Sequence, residues 1–154
     1  WGNFFNREAF GSYTNSLFAM QIPTNFFIEH GRIDEIVSNG LYDKATYVVS
    51  GNEAATFIQV HPTFLYESIG NVIAFLLIIF VIKKLQKHIG VQFFSYFVFY
   101  GIVRFFVEGL RTDSLMFGPI RMAQLISIVF LIVGVLGIIY VHQKGQRVDE
   151  FQVE

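Results

Sequence analysis

The sequence predicts a mainly α, polytopic membrane protein with three transmembrane helices and a small extracytoplasmic α+β cap. Of its 154 residues, 53% are hydrophobic and only 15% are charged, and the mean hydropathy is +0.50. Three apolar runs of about twenty residues are each long enough to cross a hydrocarbon core of about 30 Å. These observations divide the chain into a cap at residues 1–60, a three-span region at 61–142 and a cytoplasmic tail at 143–154.

The predicted cap contains short runs of mixed character. The opening WGNFFNREAFG combines phenylalanine with polar residues, which favours an interfacial loop or a short helix. The runs LFAMQIP, ATYVVS and TFIQVHP are β-prone and are separated by Pro23, Gly31, Gly40 and the Ser50–Gly51–Asn52 turn signal. The segment FFIEHGRIDEIVSNG predicts one helix that ends at Gly40 as its C-terminal cap.

The three spans follow the cap. A residue that precedes proline disfavours the helical conformation, so the first span is expected to begin at Pro62 or just after it. Its sequence is TFLYESIGNVIAFLLIIFVI. The second span is predicted at Val91–Leu110 and the third from Ile120 to about Val141, with a polar tail from His142.

The second span carries ionisable residues at its far end. On a helix that turns about 100° per residue, an arc of roughly 80° contains four polar side chains: Tyr100, Arg104, Glu108 and Arg111. A charged side chain at membrane depth costs a few kcal/mol, so it usually faces a partner or a wet cavity. Two interpretations stay open: a groove that holds an anion, or an Arg104–Glu108 pair that only neutralises itself.

Charge predicts the orientation of the spans. The loop after the first span is basic, with Lys83, Lys84, Lys87 and His88, and the tail adds Lys144 and Arg147. By the positive-inside rule both segments are cytoplasmic, which places His61 and Asp113 outside and Lys84 and Lys144 inside. The polar residues of the spans then all lie towards the outer side: His61, Glu67, Arg104, Glu108, Arg111, Arg121 and Gln124.

Composition narrows the classes of function. The chain has no cysteine, so any thiol in its chemistry must come from a partner. No basic patch with interleaved aromatic residues indicates nucleic acid binding, and no metal or cofactor is expected. An anion channel or transporter with Arg104 and Arg111 lining the pathway remains an alternative, as does a structural scaffold. A transport pathway would need a polar stripe across the membrane, whereas the cytoplasmic halves of the spans are aliphatic and aromatic.

Several motifs together resemble one family. HPTFLYES at His61–Ser68, YGIVRFFVEGLR at Tyr100–Arg111 with the nearby Asp113, and GPIRMAQLIS ending at Ser127 resemble the C-terminal half of bacterial prolipoprotein diacylglyceryl transferases. That family's pattern Gly-Arg-x-Gly-Asn-Phe-x-Asn-x-Glu-x-x-Gly is matched here at Gly2, Asn3, Phe4, Asn6, Glu8 and Gly11. The pattern's leading Gly-Arg would precede Trp1. We therefore expect the chain to be a piece of a longer protein, inactive by itself.

The resemblance implies a reaction in the bacterial cytoplasmic (inner) membrane, with the active site towards the outer face. The diacylglyceryl group of phosphatidylglycerol would pass to the lipobox cysteine of a prolipoprotein, releasing glycerol phosphate. The implied catalytic residues are Arg104, Tyr100 and Glu108. A planar guanidinium suits a departing phosphate, so Arg104 is expected to clamp it. Tyr100 would hydrogen-bond the phosphate or the glycerol, and Glu108 would orient Arg104.

The resemblance also implies residues that bind substrate: Asn3, Glu8, Gly11, His61, Tyr66, Glu67 and Arg111. His61 is expected either to act as general base for the thiol or to hydrogen-bond the start of a helix. Glu67 with Asn71, one turn apart on the first span, is expected either to contact the ligand or to serve as an interhelical hydrogen-bond pair. The expected partners are phosphatidylglycerol, the prolipoprotein lipobox segment and the lipid bilayer, without nucleic acid.

Overall fold

The computed structural model describes residues 2–50 and 53–147. It is mostly helical with two small sheets, and three of its helices are long and apolar enough to cross a membrane. The chain forms two compact units. The first unit comprises residues up to Leu65 together with Leu110–Asp113, and the second comprises Tyr66–Gly109 and the residues from Ser114 onward.

The first unit contains a three-stranded antiparallel sheet. Its strands are β1 at Met20–Pro23, β2 at Thr46–Ser50 and β3 at Glu53–Val60, in the order β1-β3-β2. Strands β1 and β2 fall within the β-prone runs LFAMQIP and ATYVVS, whereas β3 begins at Glu53, three residues before the run TFIQVHP. Of the predicted turn between β2 and β3, Gly51 and Asn52 lie outside the described residues.

The helices of the first unit are short. They are α1 at Gly2–Asn6, α2 at Thr24–Glu29 and α3 at Ile33–Ser38, with a 3₁₀ turn at Tyr42–Lys44. The prediction of one helix across the second and third of these is wrong. Gly31 has φ +65°, and the Arg32 N–H donates to the Phe27 carbonyl at 2.7 Å, which closes α2 with a Schellman motif.

The predicted C-terminal cap at Gly40 is confirmed. Gly40 has φ +63°, and the Leu41 N–H donates to the Ile36 carbonyl at 2.8 Å. This is the same glycine-dependent ending as at Gly31. A small apolar core lies between the sheet and these helices: Phe10, Ile22, Phe27, Ile36, Leu41, Ile58 and Val60.

Three long helices account for the predicted spans. The first is α4 at Thr63–Leu77, which continues through a π-helical turn at Ile78–Ile82 into α5 at Lys83–Leu85. The second, α6, occupies Val91–Leu110 as predicted, and the third, α7, occupies Met122–Lys144. Their mean hydropathies are 2.2, 1.4 and 2.7; α6 is the least apolar because it carries charged residues.

The third long helix begins two residues later than predicted. Ile120–Arg121 instead forms strand β5. It pairs with strand β4 at Met116–Phe117 in a hairpin that has two-residue strands and a two-residue loop. Gly118 in its turn has φ +60°, a conformation that favours glycine. The hairpin therefore occupies residues that the apolar pattern assigned to the helix.

Glycines allow the long helices of the second unit to approach closely. A Cβ placed on Gly101 of α6 would lie 2.9 Å from the Ser127 carbonyl oxygen of α7. One placed on Gly134 of α7 would lie 2.9 Å from the Phe94 carbonyl oxygen of α6. Small residues at helix contacts are typical of membrane helix packing, so these positions fix how α6 and α7 pack.

Candidate functional site

Arg104 lies between two carboxylates in the second unit. Its Nη1 donates to Glu67 Oε2 of α4 at 3.1 Å, and its Nη2 lies 2.9 Å from Glu108 Oε2 one turn along α6. The Arg104–Glu108 pair considered from the sequence is present. Glu67 is a second carboxylate partner that neither interpretation of the sequence included. One cation therefore faces two anions, which we call the Arg104 triad.

The two carboxylates of the triad differ in burial. The Glu108 side chain is 3% exposed, whereas that of Glu67 is 28% exposed and that of Arg104 is 19% exposed. Glu108 Oε2 lies within ion-pair distance of Arg104 but without hydrogen-bond geometry, and it has no other hydrogen-bond partner among the described residues. Because Glu67 is closer to solvent, its contact with Arg104 is the easier of the two to exchange for another anion.

The end of α6 that carries the triad is held by side chains from α7 and the residue before it. Arg121 Nη1 donates to the Glu108 carbonyl oxygen, and Gln124 Nε2 donates to the Phe105 carbonyl oxygen at 3.4 Å. A cation at the C-terminus of a helix satisfies a carbonyl that lacks an intrahelical partner and complements the helix dipole. Sequence reasoning had counted Arg121 and Gln124 only as polar residues of the outer side.

Tyr100 lies one helical turn before Arg104. Its ring is stacked on Tyr96, with centroids 5.9 Å apart, and is tilted against Phe130 of α7 at 5.8 Å. The side chain is half-buried, so its aromatic face is fixed by packing within the second unit. Tyr100 as a hydrogen-bond donor to substrate remains a prediction.

Arg111 does not belong to the helical stripe predicted from the sequence. Helix α6 ends at Leu110, and Arg111 forms an isolated antiparallel β-bridge with Gly11 in the first unit. Its guanidinium makes a bidentate contact with Asp113, at 3.0 Å from Nε to Oδ1 and 2.9 Å from Nη2 to Oδ2. The extension of the helical arc to Arg111 is therefore wrong, because the residue has left the helix.

Gly11 is packed too tightly for any side chain. A Cβ at this position would lie 2.8 Å from the Cβ of His61 and 2.9 Å from the Leu110 carbonyl oxygen. The Gly11 N–H donates to the His61 carbonyl at 2.8 Å, and the Ser12 N–H donates to the Leu110 carbonyl at 3.0 Å. Close approach of three backbone segments explains why this position of the motif is glycine.

The preceding motif residues form a tight turn. Arg7 and Ala9 have φ of +50° and +54°, which is uncommon for residues with a side chain. Between them, the Glu8 N–H donates to the Asn3 carbonyl at 3.1 Å, and the Asn6 side chain donates to Glu8 Oε1 at 3.0 Å. The Glu8 N–H thus connects this turn to Asn3 in helix α1.

The remaining predicted residues lie near the start of α4. The His61 backbone accepts from the Thr63 N–H at 3.0 Å, and Thr63 Oγ1 donates to the Ala9 carbonyl. Tyr66 is half-buried on α4. Of the pair expected to hydrogen-bond between helices, Glu67 of α4 accepts from Arg104 of α6, whereas Asn71 Oδ1 is buried without a hydrogen-bond partner among the described residues.

Known proteins resemble most of the chain. A family model described as prolipoprotein diacylglyceryl transferase matches residues 1–140. A phosphatidylglycerol–prolipoprotein diacylglyceryl transferase from Clostridium novyi (strain NT) is 41% identical over 147 residues, covering 95% of this chain and 48% of that protein. The protein of the same name from Finegoldia magna (strain ATCC 29328 / DSM 20472 / WAL 2508) is 40% identical over 136 residues, covering 88% of this chain and 42% of that protein.

A third relative of the same name, from Bacillus cereus (strain G9842), is 37% identical over 146 residues, covering 95% of this chain and 46% of that protein. The chain thus spans about half the length of the curated relatives it matches. No solved structure matches the chain. Because the family model matches residues 1–140 of the 154, the chain belongs to the prolipoprotein diacylglyceryl transferase family.

Proposed function

We propose that the full-length protein containing this chain transfers the diacylglyceryl group of phosphatidylglycerol to the lipobox cysteine of a prolipoprotein. The observation that carries the proposal is the Arg104 triad at one end of three apolar helices, in a chain of this family. The names of the relatives state the same donor lipid and acceptor protein for those proteins. Family membership favours this reaction over an anion channel or a scaffold.

The proposed reaction is a substitution at a glyceryl carbon. The cysteine thiol loses its proton to a base, and the sulfur forms a thioether bond to the carbon that carries the phosphate. The carbon–oxygen bond breaks, and its electron pair stays on the phosphate oxygen, so glycerol phosphate leaves. A phosphodiester with one negative charge thereby becomes a monoester with up to two, and a fixed cation at those oxygens stabilises the transition state.

Arg104 is the cation that we assign to this task. A guanidinium can donate two parallel hydrogen bonds to a phosphate. In the triad those donors are directed at Glu67 and Glu108, so a phosphate has to replace one of them. We assign the exchange to Glu67, which is 28% exposed, and we assign the orientation of Arg104 to Glu108, which is 3% exposed.

Other residues have proposed roles in binding. Tyr100 is proposed to donate its hydroxyl to the phosphate or the glycerol, and His61 is the candidate general base for the thiol. Further proposed substrate contacts are Asn3, Glu8, Gly11, Tyr66, Glu67 and Arg111. Support for Gly11 comes from its lack of space for a side chain, since a substitution there would displace the segment that carries Asn3 and Glu8.

We also propose that the enzyme works in the bacterial cytoplasmic (inner) membrane with its active site towards the outer face. The support is the lysines of the Lys83–His88 segment together with Lys144 and Arg147 after the third span, since the positive-inside rule assigns lysine and arginine near span ends to the cytoplasm. The lipid bilayer and the lipobox segment of the prolipoprotein are the proposed partners. This orientation would bring the triad to the side where the prolipoprotein is exported.

The test uses the full-length protein in detergent with phosphatidylglycerol and a lipobox peptide. We expect release of glycerol phosphate together with a thioether-linked diacylglyceryl group on the peptide cysteine. A peptide with serine in place of cysteine and a reaction with phosphatidylethanolamine are the matched controls, and both should give no product. Absence of glycerol phosphate release from stably folded protein, or equal release with the serine peptide, would contradict the proposal.

A further inference from the structure

A second cationic feature lies at the other end of α6 from the Arg104 triad. A cavity of about 380 Å³ occurs at the turn between α5 and α6, and we call it the basic cavity. Its eight described lining residues include Lys83, Lys84, Lys87 and His88, and none of the eight is acidic. From Val91 to Arg104, at about 1.5 Å per residue, the distance along α6 is roughly 20 Å, so the two features are separate.

The wall of the basic cavity is held in place by the end of α7. Gln86 Oε1 lies 2.7 Å from Nε2 of His142, and the ring of His88 lies against the ring of His142 with centroids 4.8 Å apart. The Ile89 N–H donates to the Gln146 carbonyl at 3.1 Å. The lysines are therefore presented by a braced turn that has contacts to another helix of the second unit.

The surrounding charge is positive. The sequence has no aspartate or glutamate between Glu67 and Glu108, and none from Ser114 to Arg147. Lys144 and Arg147 add two cations in the segment that braces the cavity. Asp149 and Glu150 follow in the sequence and lie outside the described residues. A cavity with this lining attracts an anionic group.

Apolar side chains beside the cavity indicate what kind of anion fits. Leu85, Ile89 and Phe93 are 70%, 46% and 60% exposed, and they flank the lysines in sequence at the ends of two candidate membrane spans. A small soluble anion has no apolar part that could pack against these side chains. A phospholipid combines an anionic phosphate with hydrocarbon chains that can lie along them.

We propose that the basic cavity binds the headgroup of an anionic phospholipid, with its acyl chains along the exposed apolar side chains of α5 and α6. The site is distinct from the one proposed for the reacting lipid, and it does not depend on the proposed transferase activity. The bound lipid would add negative charge beside Lys83 and Lys84, and it would anchor this end of the spans in the anionic leaflet.

The test measures lipid binding to the full-length protein by native mass spectrometry. Phosphatidylserine is the probe, because it is anionic without being the proposed substrate, and phosphatidylcholine with the same acyl chains is the neutral comparison. The variant is Lys83→Gln with Lys84→Gln. The matched control is Arg7→Gln with Lys44→Gln, which removes the same charge from residues of the first unit that do not line the cavity.

Each lysine near a membrane surface raises the affinity for anionic lipid about fivefold. The variant loses two lysines, so we expect its Kd for phosphatidylserine to rise about thirtyfold. The control variant should bind as the parent does, and Lys83→Arg with Lys84→Arg should keep the affinity. Equal weakening in the control variant, unchanged binding in the variant, or displacement of the lipid by millimolar inorganic phosphate would each overturn the proposal. Thermal unfolding of all variants verifies that a loss of binding is not a loss of fold.

Discussion

Replacement of Arg104 by lysine distinguishes a phosphate clamp from a residue that only neutralises charge. Arg104 reaches Glu67 with Nη1 and Glu108 with Nη2, whereas lysine has a single nitrogen. Lysine still supplies the positive charge that the buried Glu108 requires, so we expect the variant to fold. Loss of one donor to a developing charge typically lowers turnover by about 10²–10³-fold, or about 2.7–4 kcal/mol.

Two further variants separate stability from turnover. Arg104→Ala leaves the buried carboxylate of Glu108 without its cation, which costs up to about 3–5 kcal/mol of the free energy of unfolding; the exposed fraction of Arg104, 19%, reduces that figure. Arg104→Leu combined with Glu108→Leu removes both charges, while Glu67 stays near solvent. We expect the double variant to regain stability without regaining turnover.

The assay is glycerol phosphate release by the full-length protein, with thermal unfolding measured in the same detergent. Arg32→Lys is the matched control, because Arg32 also contacts a carboxylate, Glu35 at 2.7 Å, but lies outside the long helices. Near-normal turnover in Arg104→Lys, or recovery of turnover in the double leucine variant, would remove the clamp from the mechanism. Loss of stability in Arg104→Lys that accounts for its loss of turnover would instead favour a scaffolding role.

Three other predictions follow from the site and the sequence. Gly11→Ala should destabilise the protein by about 1–3 kcal/mol because the added Cβ meets backbone and side-chain atoms. Gly2→Ala should leave the stability unchanged, because a Cβ there has nothing within 4 Å. Equal unfolding temperatures for the two variants would contradict this description of the packing. In intact cells, a single cysteine in place of Asp113 should react with a membrane-impermeant thiol reagent, and a single cysteine in place of Lys84 should not. The reverse labelling pattern would invert the topology. The 154-residue chain alone should release no glycerol phosphate, and turnover like that of the full-length protein would refute the need for further segments.

The sequence predicted best what depends on local pattern. The bounds of α6, Val91–Leu110, follow from a largely apolar stretch of membrane length. The ending of α3 at Gly40 follows from the preference of glycine for positive φ. The same rule applied to Gly31 would have divided the predicted single helix, so that error came from giving helical length more weight than a glycine signal.

Contacts between distant segments could not be predicted in this way. Periodicity placed Glu67 and Asn71 on one face of α4, but it did not give the rotation of α4 against α6 that brings Glu67 to Arg104. It also placed Arg111 on the stripe of Arg104, because a helical wheel contains no information on where the helix ends. The β-bridge of Arg111 with Gly11 depends on a segment one hundred positions earlier in the chain.

The charged end of α6 is stabilised by partners that satisfy its terminal carbonyl groups. Within the first unit, the Leu110 carbonyl accepts the Ser12 N–H at 3.0 Å. Within the second unit, the Glu108 carbonyl accepts a donor from Arg121. A helix end leaves such carbonyls without intrahelical partners, and burying them unsatisfied would be costly. The motif segment therefore satisfies Leu110 within the first unit, and Arg121 satisfies Glu108 within the second unit.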